Sequence, residues 1–211
     1  MKCLNEKKPE SRKYQHSKYR RNMLQYSLTE QISHGCEVSN LAYDVAEKLG
    51  YSNSNCQELA VAGFLHDIGK IVLEKEIDDQ PLVVEEMKIV RMHPVEGYKV
   101  VERQGYSDFI SQCVLHHHEN YDGSGYPDHL FGDEIPYGAR ILRVCDVYCA
   151  LTSDRPYRKA FDPETAVKFM VEDIRNFDIQ IFLAFQRVIH ENNRKRVILG
   201  DLAVDERGDF K

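Results

Sequence analysis

The sequence predicts an all-α protein, and three observations carry that prediction. Apolar residues recur at spacings of three and four through most of the chain, which is the period of a helix. Helix-boundary chemistry punctuates these segments: Ser107 and Asp162-Pro163 read as starts and Gly50 as a stop. No set of segments alternates apolar and polar residues as strands would.

Taken in order, the first helical pattern runs through Leu28, Ile32, Val38, Ala42, Val45, Ala46 and Leu49 before Gly50. Glu30 and His34 lie four apart on it, so their side chains can converge on one point. A second helix is predicted from Ser54 or Asn55 through Leu59, Ala62 and Leu65 into His66-Asp67-Ile68-Gly69-Lys70. Nearly every residue before His66 is small or apolar, so the His-Asp pair arrives near the interior. An ionised Asp there needs a partner or a metal. Adjacent helical positions diverge by about 100°, so both side chains reach one ion only near a helix end.

A short apolar segment, Ile71 to Leu73, leads to an acidic linker from Glu74 to Gln80 and a helix from about Pro81 to Met92. Pro94 favours a first helical turn, which predicts His93 as the cap of a helix from Val95 to Gln104, its side chain free to ligate. The helix begun at Ser107 places Phe109, Ile110, Cys113, Val114 and Leu115 on its apolar face and delivers His116-His117-His118.

From Glu119 to Tyr137 periodicity stops, while glycines, prolines and four aromatic residues accumulate. A loop of that length inside a compact domain, rich in Tyr121, Tyr126, Phe131 and Tyr137, predicts an ordered functional element. Helical spacing resumes near Pro136 with Ala139, Ile141, Leu142, Val144, Cys145 and Val147. Asp146 sits inside that apolar helix and wants a metal, an arginine or several N–H donors. A basic loop, Thr152 to Lys159, precedes the helix opened by Asp162, and a last helix is expected from about Asp178 to Asn193.

Composition narrows the class. Apolar content of 42% with 29% charged residues describes a globular chain with a proper core. A net charge of −6 provides no global field for a nucleic-acid polymer. No apolar run approaches the roughly 18 residues of a membrane span and no secretory leader is evident, so the expected location is the cytoplasm. Eight of the first 21 residues are Lys or Arg, which reads as a solvated lead-in. The expected organisation is a basic lead-in over 1–24, one domain over 25–196 and a polar tail over 197–211. Six cysteines without a C-x-x-C pair suggest neither a disulfide framework nor a zinc knuckle. They read as buried small hydrophobes.

Glu30, His34, His66, Asp67, His93, His117, His118 and Asp146 are together too many metal-type residues for a single ion. Two ions bridged by a carboxylate fit the count, and Asp67 is adjacent to a His. Imidazole and carboxylate without thiolate suit Fe, Mn or Zn. Two metals a few Å apart form the usual clamp for phosphoester hydrolysis, activating a bridging hydroxide and stabilising the leaving oxygen.

The segments His66-Asp67-Ile68-Gly69-Lys70, His93-Pro94, His117-His118-Glu119-x-x-Asp122-Gly123-x-Gly125-Tyr126-Pro127 and Arg155-Pro156-Tyr157-Arg158 resemble the HD-GYP domain family, within the HD superfamily of metal-dependent phosphohydrolases. The match covers about residues 28 to 190. The resemblance implies a helical bundle of about seven to eight helices with a long ordered GYP loop. It also implies two divalent ions, Fe or Mn, or three in members with the acidic position that Glu30 matches. The implied activity is a phosphodiesterase converting cyclic di-GMP to pGpG and/or GMP. The alternatives are a degenerate cyclic di-GMP sensor or docking module, or a hydrolase of another cyclic dinucleotide.

By that resemblance His34, His66, Asp67 and Asp146 would hold one metal, and Asp67, His93, His117 and His118 the other. Lys70 would contact a scissile-phosphate oxygen. Asp122, Gly123 and Tyr126 would face the substrate, and Arg155 and Arg158 would grip guanine or phosphate. A homodimer and contact with a GGDEF-type diguanylate cyclase domain complete the partners this family admits. The chain departs from the family where a second Asp usually follows the Asp146 position by three residues: here it is Cys149. The segment between Lys70 and His93 is short, and a Phe-Asp-Pro signature appears as Phe177-Asp178-Ile179.

Overall fold

A computed structural model describes residues 28–74, 88–154 and 158–201. Among them the chain forms eight α-helices and two short 3-10 helices, with no strand. The helices are α1 (Leu28–Lys48), α2 (Asn53–Leu65), α3 (Gly69–Glu74), α4 (His93–Arg103), α5 (Asp108–His116), α6 (Tyr137–Thr152), α7 (Pro163–Glu172) and α8 (Ile179–Asp201). The basic lead-in, most of the acidic linker and of the helix expected from Pro81, the end of the polar tail and Arg155 lie outside the described residues.

Helix boundaries follow local chemistry. The Ser52 hydroxyl accepts the Asn55 amide at the start of α2, and that of Ser107 accepts the Ile110 amide at 3.3 Å. Asp162 accepts both the amide (3.0 Å) and hydroxyl (2.7 Å) of Thr165 ahead of Pro163. Such caps are each worth about 1 kcal/mol. Gly50 adopts φ +85° just beyond α1, a left-handed conformation that suits glycine.

Three boundaries differ from the sequence expectation. The second helix stops at Leu65, residues 66–68 form a turn, and the segment read as a short apolar stretch is the separate helix α3. His93 is the first residue of α4, with Met92 at the cap, because Pro94 is as acceptable at the second helical position as at the first. The last helix continues past Asn193 to Asp201.

The core is built around α6, which contacts α1, α5, α7 and α8. Ile141, Leu142, Val144 and Cys145 of α6 pack with Val38, Ala42 and Val45 of α1, Leu59 of α2 and Phe182 and Phe185 of α8. Each large apolar side chain buried in this way contributes about 1.5–3 kcal/mol. Ile32, counted above on the apolar stripe, is instead 47% exposed. Cys56, Cys113, Cys145 and Cys149 are buried in the core, whereas Cys36 is exposed.

Gly69 sets the packing that matters most for the site. A Cβ there would collide with the His93 carbonyl oxygen and stand 2.6 Å from the Gly97 nitrogen. Only a glycine lets the start of α3 lie against the start of α4, which carries the His66-Asp67 turn up to His93.

Candidate metal centre

Four separate helix ends converge on Asp67. Its Oδ1 lies 3.1 Å from His93 Nε2 and 3.9 Å from His117 Nε2, while its Oδ2 lies 3.4 Å from His66 Nε2. One group of potential ligand atoms comes from Asp67, His93, His117 and His118, and another from His34, His66 and Asp67. Within each group the atoms lie within 4.8 Å of one another, and Asp67 belongs to both. Asp146 adjoins the second group, its Oδ1 3.0 Å from His34 Nε2 and 3.7 Å from His66 Nε2.

The break between α2 and α3 makes this possible. His66 and Asp67 occupy a turn rather than a helix interior, so neighbouring side chains can point at one volume. His93 is held at the first turn of α4 and His117 caps the C-terminal end of α5.

Three rings are oriented in the same way. The Nδ1 atoms of His66, His93 and His117 lie 2.7, 2.6 and 2.7 Å from the carbonyl oxygens of Gly63, Val90 and Val114. A carbonyl only accepts, so each Nδ1 donates, and in the neutral ring Nε2 carries the lone pair that faces the cluster. This is how metal-ligating histidines are usually fixed. His66 Nε2 and Asp67 Oδ1 are buried without a hydrogen-bond partner among the described residues. Buried polar atoms of this kind ordinarily have a partner. A cation between the two groups would satisfy both, and the donor set fits divalent metal ions.

Electrostatics agree with that fit. Burial, reinforced by neighbouring imidazoles, holds the pKa of His117 well below the usual histidine range. Burial also dominates at His118, outweighing the opposing pull of Asp146 and leaving its pKa well below that range. Both rings are therefore neutral and able to ligate. Burial would raise Asp67, yet Lys70, His66 and His93 outweigh it and hold the carboxyl well below its usual range. His34 and His66 do the same for Asp146 against its burial. At His66 burial lowers the pKa but is overcome by Asp67 and Asp146, so the net shift is upward.

The remaining predicted positions divide. The Lys70 ammonium donates to Asp67 Oδ2 at 2.5 Å, at the edge of the cluster. Tyr126 stacks on the His118 ring with centroids 4.9 Å apart and has Arg91 over its face at 5.4 Å. Asp122 accepts the amide and hydroxyl of Ser124 and pairs with Arg175, so it shapes the loop turn beside Gly123, whose φ is +77°. Arg158 is not brought to the cluster: its guanidinium donates to the carbonyls of Ala150, Leu151 and Lys159, at and beyond the end of α6. Those carbonyls lack intrahelical partners and claim a cation. Glu30 is exposed in the first turn of α1 and belongs to neither ligand group. A negative charge there suits the helix N-terminus.

Three residues given no role by the sequence reading belong to this region. Glu119 is 1% exposed, and its Oε1 accepts the Asp128 amide at 2.7 Å, tying the loop's far side to its start. Arg143 projects from α6 one turn before Asp146, and its Nε donates to Asn120 Oδ1 at 2.9 Å. Asn120 in turn donates to the Ser124 hydroxyl. The signal for Arg143 was an arginine within an apolar helix, three residues from a functional carboxylate. His116 stays outside the cluster, bound to Asp128 at 3.0 Å.

The site therefore combines imidazoles, carboxylates and a lysine within a helical bundle, a donor set able to hold divalent metal ions. A model of the HD domain matches residues 18–181, and the chain belongs to that family. A cyclic di-GMP phosphodiesterase of Pseudomonas aeruginosa is 38% identical over 159 residues, covering 74% of this chain and 38% of that protein. The 3'3'-cGAMP-specific phosphodiesterase 1 of Vibrio cholerae is 30% identical over 155 residues, covering 72% and 36%. The chain thus spans less than two fifths of the length of either relative. Its fold is similar to the crystal structure of a cyclic GMP-AMP specific phosphodiesterase of V. cholerae, with TM-score 0.59, 14% identity and coverage of 74% of this chain and 44% of that one. No described helix is long and apolar enough to cross a membrane.

Proposed function

We propose that this chain is a metal-dependent phosphodiesterase that hydrolyses cyclic di-GMP to pGpG and/or GMP. The observation that carries the reading is Asp67, whose two oxygens face two separate groups of histidines. A carboxylate so placed is the natural bridge of a dinuclear centre. His66, His34 and Asp146 would hold one ion, and His93, His117 and His118 the other. Fe or Mn suits this donor set, with Glu30 as the acidic position for a third ion. When bound, such ions supply an activated water and clamp the phosphate oxygens.

The chain's own groups supply the rest. Lys70, anchored on Asp67, places a positive charge where a scissile phosphate would approach and stabilises charge developing on its oxygens. Tyr126, stacked on His118, offers an aromatic wall for a base or ribose. Asp122 and Gly123 act through the shape of the loop that carries Tyr126. Arg155 would grip guanine or phosphate, and Arg158 ties the end of α6 through the carbonyls of Ala150 and Leu151. The domain would span 25–196, between a basic lead-in over 1–24 and a polar tail over 197–211. A homodimer or a GGDEF-type partner would extend the same assembly.

The relative from V. cholerae favours a second reading, in which a hybrid cyclic dinucleotide is the substrate. Purified protein loaded with Fe or Mn, offered both dinucleotides, decides between them. Metal content by elemental analysis and product identification by chromatography should show occupied sites and linear products. His66→Ala and Asp67→Ala should abolish turnover. Hydrolysis that survives both substitutions would sink the proposal.

A further inference from the structure

Resting on the phosphodiesterase reading, we propose that Arg143, braced by Asn120, carries the second, non-reacting phosphate of the cyclic dinucleotide. The substrate class has two phosphodiesters. The Asp67-centred cluster can engage one of them, and the other keeps its negative charge throughout. A protein of net charge −6 has to place a cation for it locally.

Among the described residues, three guanidiniums could be considered. Arg158 is committed to three carbonyls. Arg91 is exposed over Tyr126, with no partner that fixes its direction other than the ring. Arg143 is partly buried and oriented by the 2.9 Å bond from its Nε to Asn120 Oδ1. Its terminal nitrogens, Nη1 and Nη2, have no hydrogen bond or ion pair among the described residues. These two nitrogens form the edge of the planar fork that recognises phosphate through paired bonds.

Position agrees with the assignment. Arg143 lies one helical turn before Asp146, and its charge acts on His118 and on Tyr126. Its Nε is bonded to Asn120, two residues after His118, and so to the loop that carries the aromatic wall. Asn120 follows Glu119 at the base of that loop and is itself held by Ser124, so the loop that presents Tyr126 also aims Arg143. A pre-aimed side chain loses little freedom on binding, which favours it over the exposed Arg91.

The experiment compares Arg143→Ala, Arg143→Lys and Asn120→Ala with the parent enzyme on two substrates. One is cyclic di-GMP and the other bis(p-nitrophenyl) phosphate, which has a single phosphodiester. Losing a charge-assisted bond pair should lower kcat/KM for cyclic di-GMP about 10- to 100-fold, mainly through KM. The ratio of the two kcat/KM values should fall by about tenfold or more for Arg143→Ala. Arg143→Lys should recover part of that ratio, since charge remains and the fork is lost. Asn120→Ala should fall between the two. Metal content, measured in parallel, should equal that of the parent.

Equal losses on both substrates, or loss of metal, would overturn the assignment and make Arg143 a structural support of Asp146. An unchanged ratio would also overturn it. If the parent enzyme turns over the small diester but not cyclic di-GMP, the substrate reading itself has failed, which is a separate result.

Discussion

Nε2 of His93 and Nε2 of His117 face each other across 3.2 Å, while the Nδ1 of each ring is engaged by a backbone carbonyl. Both rings thus turn their Nε2 atoms toward the same space, where a cation can be shared between them. Burial keeps His117 from taking up a proton, so a metal ion is the natural cation.

Metal should consequently stabilise the fold as well as serve the chemistry. Adding Mn or Fe at a hundred times its Kd should stabilise the protein by about 2.7 kcal/mol, read as a rise in Tm, and a chelator should reverse it. His117→Ala should remove most of this rise, because it deletes one of the four residues of that ligand group. A metal-dependent Tm rise that His117→Ala leaves intact would locate the ion elsewhere.

Stability of the metal-free protein should fall on mild acidification. His117 and His118 have depressed pKa values, so below about 6.5 the unfolded chain binds protons at both positions while the folded chain does not. Each contributes a loss of about 1.4 kcal/mol per pH unit until the folded pKa is reached. The raised pKa of His66 acts in the opposite sense. Its stabilisation is complete below the unfolded value and disappears as pH rises through the folded value, so it makes stability decline above neutrality. Denaturant melts between pH 5 and 8, with and without His118→Gln, check the sign.

Gly125→Ala should disable the site without touching a ligand. A Cβ at Gly125 would run into the backbone of His118, Glu119 and Asn120. The loop would have to move away, taking Tyr126 from its stack on His118. Displacement on the order of 1 Å costs about 100-fold in turnover, so steady-state kinetics should show at least that loss. Gly105→Ala is the control for backbone strain, since its φ is +77° with open space around it.

Cys149→Ala should be nearly silent in catalysis. Cys149 is 4% exposed and lines a cavity of about 470 Å³ with Leu41, Tyr148 and Ile189, among residues that include none of the predicted metal ligands. Activity should stay within about threefold of the parent, while stability drops by about 1 kcal/mol from the lost sulfur. A large loss of turnover would instead make Cys149 a support of the helix that carries Asp146.

The sequence by itself determined the all-α class, the caps at Ser107 and Asp162, and the set of residue types at the metal centre. Those signals are local, because a cap bonds a residue three positions on and a helix repeats every three or four. The family resemblance already implied Asp67 as the shared carboxylate, but only the tertiary structure brings its neighbours to it from α1, α4 and α5 as well as its own turn. The bond between His34 and Asp146 spans 112 positions, a relation no spacing rule contains. The same holds for the arginines. Arg158 and Arg143 are equally basic in sequence, but the first donates to carbonyls at the end of α6, while the second is aimed by Asn120.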